Sequence, residues 1–177
     1  VFERHPNLKL VITEQNADWW TASMREFDSS YFTHRYMLVD QMPRKPSEYC
    51  RTNVFIGASF AARFGAEDAV RNGYSGNFIW GRDYPHIEGT FIHTDDDDPA
   101  TNPTRLSQRY TFCNLPPAEI PKMVGLNGIR AYGLDGAELA TVATKIGAPT
   151  LRELTTPIAA IPENGGVQAF RQIGPWG

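Results

Sequence analysis

The stretch Phe78-Ile79-Trp80-Gly81-Arg82-Asp83-Tyr84-Pro85-His86 joins a short apolar run to an aspartate held in a proline-fixed turn. A buried strand that ends this way delivers one carboxylate to the rim of a sheet. There the carboxylate can ligate a metal or accept a proton from an activated water. The competing reading is an aspartate that bonds only the backbone of its own turn. Glu14-Gln15 follows a second apolar run, and Asn53 and Ser59 flank a third. Acid, amide and imidazole gathered at one sheet edge would suit metal-assisted hydrolysis or proton transfer to carbon. Loops also begin at that edge and collect polar residues for no chemical reason, so the pattern is generic when taken alone.

The elements that must position these groups alternate. Residues 8–13 (Leu-Lys-Leu-Val-Ile-Thr) read as a buried strand. Asp18 is placed to cap a following helix whose apolar residues are Trp20, Met24, Phe27, Tyr31 and Met37. Pro43 and Pro46 end that helix, and residues 52–59 form the second strand. A helix over 61–72 turns Phe64, Ala69 and Val70 inward and stops at Gly73, and a third strand covers 77–81. Strand, helix, strand, helix, strand marks a parallel α/β architecture. Residues 90–103 then form a polar loop, helices return at 118–124, 127–132 and 136–146, and 149–154 adds a turn. The organisation divides into 1–90 (strand-end units), 91–154 (acidic loop and closing helices) and 155–177 (a Pro- and Gly-containing extension).

Composition narrows the function classes. The chain has 177 residues, 41% hydrophobic and 12% aromatic, enough for one core. A net charge of −3 supplies no basic field for nucleic acid or anionic lipid. No apolar run approaches the roughly 20 residues that span a bilayer, and Val1-Phe2-Glu3-Arg4-His5 lacks the pattern of a secretory leader. Cys50 and Cys113 have neither zinc-knuckle nor redox spacing, so two reduced thiols in a cytoplasmic protein are expected. The opening residues read as a turn entering a strand, as in a piece of a longer protein.

Four blocks together resemble the amidohydrolase-related group, the metal-dependent hydrolases and decarboxylases that include aminocarboxymuconate-semialdehyde decarboxylase. They are Phe2-Glu3-Arg4-His5-Pro6-Asn7-Leu8-Lys9-Leu10-Val11-Ile12-Thr13-Glu14 with Trp19-Trp20, and Lys45-Pro46-Ser47-Glu48-Tyr49-Cys50-Arg51-Thr52-Asn53. The third is Gly81-Arg82-Asp83-Tyr84-Pro85-His86. The fourth runs from Leu115-Pro116-Pro117 through Gly125-Leu126-Asn127 to Tyr132-Gly133-Leu134-Asp135. The resemblance covers about residues 1–162. It implies the C-terminal part of a (β/α)8 TIM-type barrel, about three β/α units plus closing helices.

The resemblance also implies roles. Asp83 matches the aspartate after the eighth strand, which helps bind the catalytic metal and handles the proton of the attacking water. His86 stands beside it as a supporting or substrate-facing group. Glu14 lies where many members place a histidine, a departure that leaves it a substrate contact. One of Trp19 and Trp20 would line the substrate pocket, with Trp19 the choice. Arg51 and Arg82 are partners for a substrate carboxylate, with surface ion pairing as the alternative. The family's other ligands, a His-x-His pair and a further His, have no counterpart among His5, His34, His86 and His93. A full barrel needs ~200 residues or more. Catalytic zinc usually takes three protein ligands.

The expectation is therefore a divalent metal (zinc first, then manganese or magnesium) held mostly from outside this chain. The parent would hydrolyse or decarboxylate a small carboxylic or aromatic substrate, and the chain alone would be inactive. The rival is a non-catalytic structural or interaction fragment that pairs with itself or with the missing N-terminal barrel half, burying an exposed edge. Asp95-Asp96-Asp97-Asp98 could supply hard oxygens for calcium, but lacks the EF-hand spacing and reads better as a solvated loop.

Overall fold

A computed structural model describes residues 1–15, 17–58, 61–86 and 102–161. The acidic run 95–98, His93, Ser59 and most of the 155–177 extension lie outside them. Three short strands, β1 (Leu10–Thr13), β2 (Val54–Ala58) and β3 (Phe78–Trp80), form one parallel sheet in the order β1-β2-β3. Leu10 pairs with Val54, and Ile56 with Phe78. The helices between them are α1 (Trp19–Thr33), α2 (Arg35–Leu38), α3 (Pro46–Asn53) and α4 (Arg63–Arg71). After the sheet come α5 (Pro103–Phe112), a π-helical turn (Lys122–Leu126) running into α6 (Asn127–Tyr132), then α7 (Gly136–Lys145) and α8 (Leu151–Leu154). This is a mixed α/β fold, a three-stranded parallel sheet flanked by helices, in a partial and unclosed barrel-like arrangement.

Strand alternation gives the sheet two different faces. Ile12, Val54, Ile56, Phe78 and Trp80 pack into the main core with Trp20, Ala66, Ala69, Tyr74, Phe112, Ile120 and Met123. Val11, Thr13, Phe55, Gly57 and Ile79 share the other face by register. Gly57 is required by space there, since an added Cβ would lie 3.0 Å from Thr13 Cγ2 and 3.3 Å from Val11 Cγ1. Phe55 is fully buried on this face, with the Arg130 guanidinium 4.9 Å from its ring centre.

Side-chain amides stitch the amino-terminal ends of the strands together. Asn53 Nδ2 donates to the carbonyls of Pro6 and Leu8. Asn77 Nδ2 donates to those of Cys50, Arg51 and Val54, and Asn127 Nδ2 to those of Ser75 and Phe78. All three asparagines are buried. Each satisfies carbonyls where the ladder starts and would otherwise leave them unpaired. Asn53 therefore sits at the amino-terminal edge of the sheet as a structural tie, and not at the strand-end site.

Several helices differ from expectation. Asp18 makes no side-chain cap, and α1 closes at Thr33, where a short α2 takes over. Trp20 and Tyr31 are buried, whereas Phe27 (48% exposed) and Met37 (60%) face outward, so the packed stripe is narrower than the apolar spacing. On α4 the inward residues are Gly65, Ala66 and Ala69, with Phe64 only half-buried. Small residues let α4 lie close: a Cβ on Gly65 would meet Ala17 Cβ at 3.8 Å and Phe78 Cε2 at 3.9 Å. Helix α3, opened by Pro46 and by Glu48 accepting from the Lys45 N–H at 3.0 Å, runs straight into β2 with no loop.

Two ion clusters hold the segments that flank the strands. Glu3 accepts from Tyr49 Oη at 2.6 Å and from Arg44, whose guanidinium also stacks on the Tyr49 ring. The Tyr49 hydroxyl, then Arg44, hold the Glu3 carboxyl below the usual range. Glu119 accepts from Lys122 Nζ at 2.7 Å and from the Ser75 hydroxyl. Lys122 first, then Ser75, depress its pKa. A carboxyl with a lowered folded pKa contributes stability above its unfolded pKa, and that contribution is lost as pH falls through the folded value. Glu119→Gln is therefore expected to lower stability near neutral pH and to converge with wild type in acid. Urea titrations at pH 7 and in acid check this, and a constant difference would contradict it.

Candidate active site

The carboxyl-terminal edge of the sheet gathers two acids. Glu14 follows β1 directly, and Asp83 lies three residues beyond β3. These are the two non-glycine residues with left-handed backbone among those described, with φ of 55° at Glu14 and 56° at Asp83. Side chains other than those of Gly, Asn and Asp rarely adopt that conformation, which costs about 1–2 kcal/mol. Strained backbone of this kind clusters at functional sites. The two acids extend from the two outer strands of one parallel sheet, and the axes of those strands lie roughly 9–10 Å apart.

Asp83 Oδ2 lies 3.0 Å from His86 Nδ1, and the Asp83 N–H-to-C=O turn is closed by the His86 N–H donating to the Asp83 carbonyl at 2.7 Å. The Asp83 side chain is 12% exposed and that of His86 is 55% exposed. Thus one carboxylate oxygen is held by a solvent-facing imidazole in a turn that contains a cis Tyr84–Pro85 bond. The arrangement can accept a proton, ligate a cation, or do both in succession.

Residues 1–134 match the amidohydrolase family. The chain belongs to that family. No curated protein matches it. As an amidohydrolase, the chain belongs to a metal-dependent hydrolase superfamily, and its donor set can be tested against a metal. Among the described residues, no group of three or more His, Cys, Asp and Glu side chains could hold an ion. The Asp83–His86 pair falls short of the three ligands a catalytic zinc takes.

The other expected site residues are dispersed. Trp19 opens α1, is half-buried, and packs on Trp20 with ring centres 5.7 Å apart; Trp20 is buried against Tyr74. Arg51 stands on α3, just before β2, so it lies toward the amino-terminal edge, opposite Asp83. It borders a separate polar cleft. This separation removes Arg51 from the group at the strand ends. Arg82 is exposed and lines a cleft of about 540 Å³ with Trp80 and Gln108. His34 bonds the Ser30 carbonyl at 2.9 Å, and the His5 N–H closes a turn onto Val1, both local roles. Both cysteines are free. Burial, then Asp28, push the Cys50 thiol up, away from nucleophilic use. No described helix is long and apolar enough to cross a membrane.

Backbone strain was the signal that sequence reading missed, because residue type alone does not report φ. If Glu14 is held in this conformation for function and not for stability, Glu14→Gly should raise the unfolding free energy by about 1 kcal/mol. Urea denaturation reads this directly. An equal or larger loss would mean that the Glu14 side chain holds the fold.

Proposed function

We propose that this chain is the C-terminal part of a (β/α)8 amidohydrolase whose strand-end acids act on a small carboxylic or aromatic substrate. Its likeness to the decarboxylase subgroup rests on the four sequence blocks. The observation that carries the reading is the half-buried Asp83, in left-handed backbone and hydrogen-bonded to His86, at the carboxyl edge of a parallel sheet in a family member. Asp83 contributes one carboxylate to a divalent-metal centre, zinc or else manganese or magnesium, whose other ligands lie outside the described residues.

Within this chain the derivable steps belong to the side chains. Asp83 accepts a proton on a carboxylate oxygen and returns it as the product forms. His86 fixes the carboxylate through Nδ1 and limits the rotamers Asp83 can sample. Glu14, across β2, contacts the far end of the substrate, and the half-buried Trp19 offers an apolar wall. Expression of the complete gene and assay against small aromatic and carboxylic substrates tests the reading. Acid release would mark hydrolysis and carbon dioxide release would mark decarboxylation. A complete, metal-loaded protein that does neither would defeat it.

A second reading has its own observation. β1 is an outer strand, and Leu8 and Leu10 beside it are 48% and 47% exposed. An open apolar strand edge favours pairing with a second copy or with the remaining barrel units. Light scattering of the purified chain separates these: a dimer that forms without the other units supports a non-catalytic pairing module.

A further inference from the structure

Arg51, displaced from the strand ends, belongs to a different constellation. A cleft of about 240 Å³ lies on the helix layer between α1 and α3, at the opposite edge from Asp83. Thr21, Arg25 and Asp28 of α1 line it together with Lys45, Ser47 and Arg51 at and along α3. Three cations thus meet one carboxylate, on a chain whose net charge is −3. The carboxylate is already engaged: Asp28 accepts from the Ser47 N–H at 2.9 Å and the Ser47 hydroxyl at 2.7 Å, with Lys45 Nζ at 3.7 Å. Among the described residues neither Arg25 nor Arg51 forms an ion pair. Thr21 Oγ1 is buried and has no hydrogen-bond partner. Buried polar atoms are nearly always paired, so this hydroxyl is an orphan in the wall beneath the cationic cleft, closed off from the cleft itself.

We propose that this cleft binds a small, multiply charged oxyanion, a phosphate group or a di- or tricarboxylate, at a site separate from the strand-end acids. Guanidinium groups match the paired oxygens of such ligands, and Arg25 and Arg51 are exposed and open to them. A neutral ligand would leave the two arginines unused, and a cation would be repelled. The site is firm at its base. Trp20 is buried in the core, and the Arg51 carbonyl is held by Asn77 Nδ2 at 3.0 Å. The proposal does not depend on the amidohydrolase chemistry.

The test is calorimetry and thermal unfolding of this chain with inorganic phosphate and with citrate, each at ionic strength matched by sodium chloride. Saturable binding below about 10 mM with a concentration-dependent rise in Tm is expected for at least one of them. Which one binds identifies the ligand's anionic group. Arg25→Gln/Arg51→Gln should abolish the shift. Arg51→Gln alone should leave the anion-free Tm near wild type, since its side chain is exposed, and weaken binding about tenfold. Absence of saturable binding for both anions would overturn the proposal. So would full binding by the double variant, or equal loss in the distant control Arg152→Gln, which would mark a general charge effect. If the double variant does not fold, undiminished binding by Arg51→Gln overturns it.

Discussion

Asp83→Asn, in the protein carrying all its barrel units, is expected to lower kcat/KM by roughly 10³-fold or more while the unfolding midpoint stays near wild type. The fold should survive because asparagine tolerates left-handed backbone as well as aspartate does. The φ of 56° at this position would exclude most other replacements. The amide also keeps an oxygen to accept from His86 Nδ1, so the turn remains closed. What it cannot do is take a proton or offer a second anionic oxygen to a cation. Retention of most activity by this variant would remove Asp83 from the chemistry and leave it as a turn residue.

The largest stability effect belongs at the other edge of the sheet. Asn77→Asp should destabilise by about 3–5 kcal/mol at pH 7, the cost typical of an uncompensated buried charge. Asn77 is 3% exposed, and its amide donates at 3.2, 3.0 and 2.7 Å to the carbonyls of Cys50, Arg51 and Val54. A carboxylate there would face carbonyl oxygens with no proton to give. The folded state must then raise the pKa of the new acid, so the penalty grows as pH rises through the unfolded carboxyl range. In acid the protonated carboxyl regains one donor, and the difference from wild type should shrink. Urea denaturation at pH 7 and in acid measures both. A loss under about 1 kcal/mol at pH 7 would mean that the stitch is dispensable.

Much of this architecture was readable from residue patterns because parallel strands need long β-branched and aromatic runs between helices. Residues 8–13, 52–59 and 77–81 contain β1, β2 and β3, and the 127–132 helix appears as Asn127–Tyr132. The placement of Glu14 and Asp83 on one edge follows from that order, since each acid trails its strand. Other features are physically invisible in a single sequence. Asparagine before a strand reads as a turn residue, so the stitches by Asn53, Asn77 and Asn127 leave no distinct signature. Arg51 stands away from the strand ends because α3 enters β2 without a loop, which puts residues just before the strand at its amino-terminal end. On α4 Ala69 is buried and Val70 packs against the core as expected, but Phe64 does not carry the close approach. The helix instead approaches the sheet through Gly65 and Ala66, and Phe64 is left at the margin. Exposed Phe27 and Met37 show the same limit: helical spacing names a stripe, and the packing partner decides its width.

Direct contact between Asp83 and the metal decides the role of this residue. Anomalous diffraction from crystals of the complete protein, grown with zinc, would locate the ion independently of any assay. A peak is expected roughly 2.0–2.2 Å from an Asp83 carboxylate oxygen, with the remaining ligands from residues outside those described. A bound ion more than about 4 Å from Asp83, with its carboxylate still resting on His86, would contradict it.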